Sequence, residues 1–589
     1  MRRTDMNRVP EDSVDDTVSK GVSEGAPDHG GRRRSGRPSV TLNLPAKIAG
    51  VLVIALSAVA LIQSSLLKAW VLGHQPINSD EGVAGLIAIG IQHGHFGSLY
   101  WGQFYGGVEP YGTALLFWIL PVNGVTLRLA TVGFGVLGLV MIWKAAKGLF
   151  EDSVAAAGAT ALCAVFPLAT ILNLTFAFGF RSVTYAATAA LIFIGVRMDQ
   201  GWRTRWAFVI LGLVAGVGWW SSPEIVYGAL VATLCAVGAI VGLDSWRTRA
   251  ERIVISACGF LLGALPWLWT SISNGFATLD AKTEMPSSFH DRLSIFFSHA
   301  LPSLLGLKRF LTGDGTLTAS AGTRYDLLYA GFLTLIILAI VSCILAGGAR
   351  RAIAITLAVS PLIFASFPVT WSWADGRYAI YITPLLVLVL IAGLERLVQW
   401  IGRLWGDSAK ATCERVALVM ALVGAIVSTS TQFGWWSTTD STGRGPLLSG
   451  YSASDGGMKP VVDDLVRAGV TTGWATYWVA YRLDFLSGGH LVLSPPPNEL
   501  VRSTSYVHQV MASPDPAWIF LGQTDPRTGG PKNNAQGPGG LSFGDFSARL
   551  AARGVALKVA NISGIWVART SRPVSPVDLG IGPGMAPSG

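Results

Sequence analysis

The sequence predicts a polytopic α-helical membrane protein with about eleven transmembrane helices and a small extracytoplasmic α/β domain at its C-terminal end. Of its 589 residues, 51% are hydrophobic and only 13% are charged, and the mean hydropathy is +0.48. Soluble proteins of this length are less apolar. Apolar runs recur from residue 46 to residue 432, and beyond that point the chain loses its transmembrane character.

Residues 1 to 45 are predicted to form a disordered cytoplasmic arm. They are polar, rich in Gly, Ser, Asp and Arg, and carry the basic cluster Arg32-Arg33-Arg34 and Arg37, so they cannot bury a core. The first apolar run, residues 46 to about 70, is too long and too far along the chain for a cleaved signal peptide. It is therefore predicted to be the first span.

The segment from residue 109 to residue 120 decides the number of spans. It contains Pro110, stops before Pro121 and falls short of the roughly 20 residues that a crossing helix needs, so we predict a juxtamembrane helix on the outer surface. Every basic connector then falls on the side of the N-terminal arm, as the positive-inside rule requires. The other ten predicted spans are residues 126–147, 152–171, 183–198, 206–220, 224–243, 252–271, 325–346, 352–368, 379–397 and 415–432.

This topology places two long loops and the C-terminal part of the chain outside the cell membrane. Within the transmembrane region, residues 46–432, the outer loops are an acidic first loop at 71–127 and a loop at 274–325. Residues 433–570 show the short helical and strand patterns of one α/β domain. Residues 571–589 are Gly/Pro-rich and are predicted to be a disordered tail. The predicted strands lie near residues 473–477, 490–494, 517–521 and 564–568.

Charge and cysteine content exclude several classes of site. The formal net charge of +9 comes largely from short basic clusters between apolar runs, which is typical of topology determinants, so no nucleic-acid partner is expected. Four of the five cysteines fall inside apolar runs, and Cys413 falls in a basic loop. The sequence therefore predicts neither a disulfide framework nor a cysteine metal site.

The acidic first outer loop carries the strongest functional signal. Residues 71 to 127 contain no Lys or Arg, yet Asp80, Glu81 and Glu109 lie there among apolar and aromatic residues, together with three histidines. Ionisable groups near hydrocarbon are costly unless they are paired, hydrated or bound to a metal. Acids without basic neighbours beside a bilayer indicate chemistry, and we expect the functional site here.

Motifs in and after this loop resemble those of the GT-C membrane glycosyltransferases, in particular the protein O-mannosyltransferases, the lipid A aminoarabinose transferases and the rhizobial-type lipopolysaccharide glycosyltransferases. The resemblance covers roughly residues 46 to 400. It implies a transferase that uses a lipid-phosphate sugar donor. The chain departs from the pattern between Asn173 and Ser182, where these families often carry an Asp and this sequence offers only Arg181. The matching residues are Asp80-Glu81, Gln103 and Tyr105, Glu109 and Tyr111, Arg128, Arg377-Tyr378 and Pro384.

The chemistry of an outward-facing glycosyltransferase assigns roles to the acids. Outside the cell membrane no nucleotide sugars are supplied, so the donor would be a sugar on polyprenyl phosphate, and the acceptor a cell-envelope glycan, glycolipid or protein. One positioned carboxylate suffices as the base for an inverting displacement, whereas hydrolysis would call for a pair. We predict that Asp80 is the base and that Glu81 orients the acceptor or a metal.

The departing lipid phosphate needs a cation. Arg377, Lys308 or a divalent ion such as Mg²⁺ or Mn²⁺ could supply it, and the metal candidates are Glu81, Glu109, His93 and His95. Further candidates for substrate binding follow from the motifs of the loop and of the tenth span. They are Gln103, Tyr105, Glu109 and Tyr378.

Structural roles and other functions stay open at this point. Asn78, Ser79 or Asp80 could simply cap a helix with Glu81 in its first turn, Glu109 could be a helix-start acid, and Arg377 could anchor its span at the interface. The histidines match no metal-ligand spacing and could be loop hydrogen-bonders. A lipid or solute transporter and a non-catalytic envelope assembly protein are the alternative functions.

Overall fold

The transmembrane region folds into helices at the predicted span positions. The computed structural model of the protein describes residues 44–150, 152–279, 287–308, 323–368, 376–405, 407–441 and 455–582, so nearly all of the predicted N-terminal arm lies outside the described residues. The helices that coincide with predicted spans are α1 (Leu44–His74), α4 (Gly124–Leu149), α5 (Ser153–Val165) with α6 (Leu168–Asn173), α7 (Arg181–Asp199), α8 (Arg205–Ser221), α9 (Val226–Val241), α10 (Trp246–Gly263) with α11 (Leu265–Ser273), α14 (Thr323–Ala346), α15 (Gly348–Ser366), α16 (Thr383–Trp405) and α17 (Asp407–Ser441).

The predicted count of eleven spans is not confirmed. Among the described residues, seven helical segments are long and apolar enough to cross a membrane, and the pair α10 and α11, bent by 67°, would make an eighth. The helices α5 and α8 are apolar but shorter, because the first gives way to α6 at Phe166-Pro167 and the second ends at Ser221. The chain is thus a multi-span helical protein.

The two long loops predicted to lie outside the membrane contain short helices. In the acidic loop these are α2 (Ser79–Gln92) and α3 (Val108–Phe117), the latter at the position of the predicted juxtamembrane helix. Ten residues rise only about 15 Å, half the thickness of the hydrocarbon core. In the loop 274–325 the short helices are α12 (Phe289–Ile295), a π-helical turn (Phe296–Ala300) and α13 (Leu301–Leu304).

The C-terminal domain is built on a five-stranded mixed sheet of order β2-β1-β3-β5-β4. The first three strands in this order are parallel, with Gly473 opposite both Leu493 and Ala517, and β5 and β4 form an antiparallel hairpin at one edge. The strands are β1 (Thr472–Trp474), β2 (Val492–Ser494), β3 (Ala517–Phe520), β4 (Leu557–Ile562) and β5 (Ile565–Thr570), and the helices are α18 (Asp455–Arg467), α19 (Tyr477–Leu486), α20 (Thr504–Ala512) and α21 (Phe543–Ala551).

Two details of this domain differ from the sequence prediction. Strand β4 was not expected; its side chains are mostly exposed or half-buried, as on the edge of a sheet, so it carries no continuous apolar signal. The predicted disordered tail begins too early. Val574, Leu579 and Ile581 are buried against the Trp518 and Phe546 side of the sheet, so the domain extends at least to residue 582.

The C-terminal domain packs on the acidic loop through α19, which lies against α2. A Cβ atom at Gly82 would stand 2.4 Å from the carbonyl oxygen of Tyr481, and one at Gly85 would stand 2.3 Å from the Phe485 ring, so only glycine permits this approach. Tyr481 and Phe485 share one apolar cluster with side chains of α2. The domain and the acidic loop therefore lie at the same end of the helix bundle.

Candidate active site

The local sequence fixes the start of α2, where the two acids lie. The Asn78 side chain accepts a hydrogen bond from the Glu81 backbone N–H at 2.9 Å, and the Glu81 carboxylate accepts one from the Asn78 N–H at 3.2 Å. This capping box confirms the helix-cap interpretation for Asn78. It leaves Asp80 and Glu81 side by side in the first turn, pointing in different directions around the helix.

Glu81 is completely buried and bound by a cation. Arg128 of α4 donates from Nε to one carboxylate oxygen and from Nη2 to the other, each at 2.7 Å, and the Ala177 N–H adds a bond of 3.0 Å. The expectation of acids without basic partners is therefore wrong for Glu81. Its partner Arg128 lies one residue beyond the segment 71–127, which contains no Lys or Arg. Arg128 also donates to the carbonyl oxygens of Val71, Gln75 and Pro76.

We predict that Glu81→Gln lowers protein stability by about 1–3 kcal/mol, because Arg128 would remain buried opposite a neutral amide. The melting temperature in detergent would show this loss. Asp463→Asn is the control, since Asp463 pairs with Lys459 at the surface with 48% of its side chain exposed, and it should leave the melting temperature unchanged. If Glu81→Gln matched the parent in stability, the pair would not hold this loop.

Asp80 occupies a different environment at the same helical turn. Its Oδ1 accepts hydrogen bonds from the Tyr477 hydroxyl and from Nη2 of Arg502, the latter at 3.1 Å, and its carbonyl oxygen accepts one from the Tyr100 hydroxyl at 2.5 Å. The side chain is 25% exposed. Oδ2 has no hydrogen-bond partner within the described ranges, so one oxygen is held and the other is available.

The C-terminal domain supplies the cation at Asp80. Tyr481 of α19 accepts a hydrogen bond from the Arg502 backbone N–H at 2.8 Å, and Arg502 Nε donates to the Tyr477 hydroxyl at 3.2 Å. Burial raises the pKa of Tyr477 well above its ordinary value, and Asp80 raises it further, so this phenol stays protonated and donates. Nη1 of Arg502 is buried without a hydrogen-bond partner in the described part of the chain. Such an orphan donor is what an anionic ligand would satisfy.

Glu109 is a second buried carboxylate. It accepts hydrogen bonds from the Thr131 hydroxyl, the Gly179 N–H and the Ser182 hydroxyl, at 3.0, 3.0 and 2.7 Å. Burial raises its pKa, although these three donors act in the opposite direction. Its contacts tie α3 to α4 and to the start of α7.

Tyr105 lies in the acidic loop and packs against the segment before α7. Its ring packs edge-on against Phe180, 4.8 Å between centroids. Burial raises the pKa of Tyr105 well above its ordinary value, and Tyr378 and Glu224 raise it further. Arg502 and Arg181 act in the opposite direction and lower it. Gln103 is half-buried in the same loop, and Arg377 is half-buried beside Tyr378.

The structure does not bring the metal candidates together. His93 ends α2 and His95 follows it, both exposed, so they lie about 20 Å along the helix from Glu81. Both oxygens of Glu81 are already bound to Arg128, and those of Glu109 to neutral donors. Across the described ranges no three His, Cys, Asp or Glu side chains are grouped as metal ligands. The candidate set does not fit a bound divalent ion.

Lys308 lies in the loop 274–325. It donates to the Ser298 carbonyl oxygen, and burial lowers its pKa. No described contact joins it to Asp80 or to Arg502. Its role as a ligand of the leaving phosphate therefore stays a prediction.

Sequence reasoning missed Tyr477, Arg502 and Glu224. Tyr477 and Arg502 lie 397 and 422 residues from Asp80 along the chain, so no spacing rule links them. Glu224 stands in a Ser-Ser-Pro-Glu turn between α8 and α9, is buried, and acts on Tyr105. Its signal in the sequence was an acid at the end of an apolar run.

Comparison with solved structures identifies the fold. ArnT from Cupriavidus metallidurans aligns with a TM-score of 0.50 in its apo state and 0.51 bound to undecaprenyl phosphate, at 12% and 13% identity, covering 87% and 88% of this chain and 97% of ArnT. An oligosaccharyltransferase from Archaeoglobus fulgidus aligns with a TM-score of 0.42 at 12% identity, over 74% of this chain and 64% of that protein. No family model and no curated protein sequence matches the chain. The expected resemblance to the GT-C glycosyltransferases is confirmed at the level of the fold.

Proposed function

We propose that this chain, which has the GT-C fold, is an inverting membrane glycosyltransferase that moves a sugar from a polyprenyl-phosphate donor to an extracytoplasmic acceptor. The observation that carries the proposal is Asp80. It is a partly exposed carboxylate at a helix start, with one oxygen fixed by Tyr477 and Arg502 and the other available. The acceptor would be an envelope glycan, a glycolipid or a protein.

In the proposed reaction Asp80 accepts a proton and Arg502 stabilises the leaving group. The acceptor hydroxyl attacks the anomeric carbon as the bond from that carbon to the phosphate oxygen breaks. Asp80 Oδ2 takes the hydroxyl proton, and the lipid phosphate departs as an anion. Arg502 contacts Asp80, and its buried Nη1 has no hydrogen-bond partner among the described residues, so it would stabilise the charge that develops on the phosphate.

This assignment changes two expected roles. Glu81 has both oxygens occupied by Arg128 and backbone N–H groups, so we propose that it positions Asp80 through the α2 start rather than orienting the acceptor or a metal. Arg502 takes priority over Arg377 and Lys308 as the cation for the leaving phosphate, because it alone of the three has a described contact with Asp80. Tyr105, Gln103 and Tyr378 stay candidates for holding the sugar.

We also propose the orientation in which the N-terminus is cytoplasmic and the C-terminal domain is extracytoplasmic. In a variant lacking the five native cysteines, single cysteines at Phe96 and Asn534 should react with a membrane-impermeant maleimide in whole cells whose envelope admits it. A cysteine at Asp244 should react only after lysis. All three positions are exposed. Labelling of Asp244→Cys in intact cells would contradict this orientation.

The function is tested by what a deletion strain lacks. The envelope of that strain should miss one glycosylated component, which the parental gene restores and the Asp80→Asn gene does not, while both proteins reach the membrane in equal amounts. A component restored equally by both genes would favour a transporter or an assembly protein, since neither needs a base at Asp80.

A further inference from the structure

A groove is lined by residues of α1, α4 and α5. Its volume is about 820 Å³, and nearly all of its lining is apolar. Leu61, Val125 and Val136 line it and are each more than a third exposed on helices long and apolar enough to cross a bilayer, so the groove opens toward lipid. It runs from Val125 at the start of α4 to Trp143 near its other end.

One cation lies in this groove. Lys68 of α1 lines it and is only 7% exposed. Its ammonium has no hydrogen bond or ion pair with any residue in the described ranges. A lysine on a lipid-facing surface normally extends to the interface, but most of this side chain is covered by protein. An ammonium without a partner in apolar surroundings is costly, and an anionic ligand would offset that cost.

The position of the groove links it to the candidate active site. Leu129 and Val125 line it on α4, and Arg128, between them in sequence, binds Glu81 beside Asp80. On α1, Leu72 and Gly73 line its outer end. Lys68 lies six residues before the end of α1, about 9 Å below it, whereas Asp80 lies beyond that end. A phosphate on Lys68 would therefore be close to the site but not in position for transfer.

We propose that this groove is a holding site for the polyisoprenyl phosphate carrier, with the chain along the apolar wall and the phosphate on Lys68. The inference rests on the proposed function, which requires such a carrier to reach and leave Asp80. A single cation in one elongated groove suits a one-chain lipid monophosphate better than a two-chain phospholipid. The carrier would wait here before or after transfer.

Photo-crosslinking in nanodiscs tests the groove directly. With benzoylphenylalanine at Val136, radiolabelled polyprenyl phosphate should crosslink, and Lys68→Met should reduce the crosslink tenfold or more while Lys68→Arg retains it. Lys144→Met is the matched control, since Lys144 is an exposed lysine on α4 outside the groove, and it should crosslink as the parent does. Unlabelled polyprenyl phosphate should compete, and polyprenol without phosphate should compete at least tenfold less well.

Two results would overturn the proposal. If Lys68→Met left the crosslink unchanged, the phosphate would not lie on Lys68. If phosphatidylglycerol competed as well as polyprenyl phosphate, the groove would be an ordinary phospholipid site. Measuring turnover of Asp80→Asn beside the crosslink distinguishes failure of the holding site from failure of the proposed function. If Asp80→Asn is inactive but the parental crosslink does not depend on Lys68, only the holding site is contradicted. If Asp80→Asn keeps full turnover, the proposed function is contradicted whatever the groove binds.

Discussion

Replacing Arg502 with alanine should slow sugar transfer by about a hundredfold to a thousandfold, the scale found when one preorganised group that stabilises developing charge is removed. Arg502 contacts Asp80 at 3.1 Å and has a buried nitrogen free for a ligand in the described structure. Arg502→Lys should recover only part of the rate, because an ammonium cannot hold Asp80 and a phosphate in the same planar geometry. The measurement is single-turnover transfer with a purified protein and a radiolabelled lipid-phosphate sugar.

Controls separate this catalytic role from a structural one. Arg467→Ala removes an exposed arginine of the same domain and should leave transfer unchanged. Comparison of Arg502→Ala with Arg377→Ala and Lys308→Ala shows which cation serves the phosphate. A folded Arg502→Ala protein with normal turnover, beside an inactive Arg377→Ala, would return that role to Arg377.

Hydropathy and charge located the parts of the fold that depend on local sequence. The apolar runs placed helices at each predicted span, Pro110 and the shortness of its segment indicated the juxtamembrane helix, and Asn78 with Glu81 marked the start of α2. These features depend on residues within one or two turns of each other, so the sequence carries them directly. The number of spans does not follow in the same way, since α5 and α8 are shorter than a full crossing.

The pairing of the acids could not be predicted, because it depends on contacts between distant segments. Arg128 lies 47 residues from Glu81, on the neighbouring α4, and Arg502 lies 422 residues from Asp80. An acid can be judged unpaired only after the chain is folded. One sequence feature anticipates the contact between α2 and α19. Gly82 and Gly85 are three residues apart, so they lie on one face of α2 and leave it without side chains where α19 packs.

That interface explains why the C-terminal domain belongs to the site. Tyr477 and Tyr481, one helical turn apart on α19, contact Asp80 and the Arg502 backbone, while Phe485 packs on Gly85. The sequence predicts this domain as a separate α/β unit, yet it provides both donors to the Asp80 carboxylate, Tyr477 and Arg502. The acidic loop thus supplies the proposed base, and the C-terminal domain supplies the residues that hold its carboxylate.

Asp80→Asn tests the role of the base most directly. The amide keeps the size of the side chain but cannot accept the acceptor's proton. It also weakens the contact with Arg502, so the variant's melting temperature has to be recorded beside its rate. Asp463→Asn, which changes an exposed aspartate on α18, is the matched control and should behave as the parent. Asp80→Glu should restore only part of the rate, since its carboxylate is displaced by about one bond length.

The decisive measurement is single-turnover transfer by purified Asp80→Asn protein, with binding of the lipid-phosphate donor measured on the same preparation. We expect the rate to fall by about a hundredfold to ten-thousandfold, as for loss of a general base, while donor affinity changes little. An Asp80→Asn protein that binds the donor and transfers sugar at the parental rate would contradict the account, leaving Asp80 as the partner of Tyr477 and Arg502 in the contact between the acidic loop and the C-terminal domain.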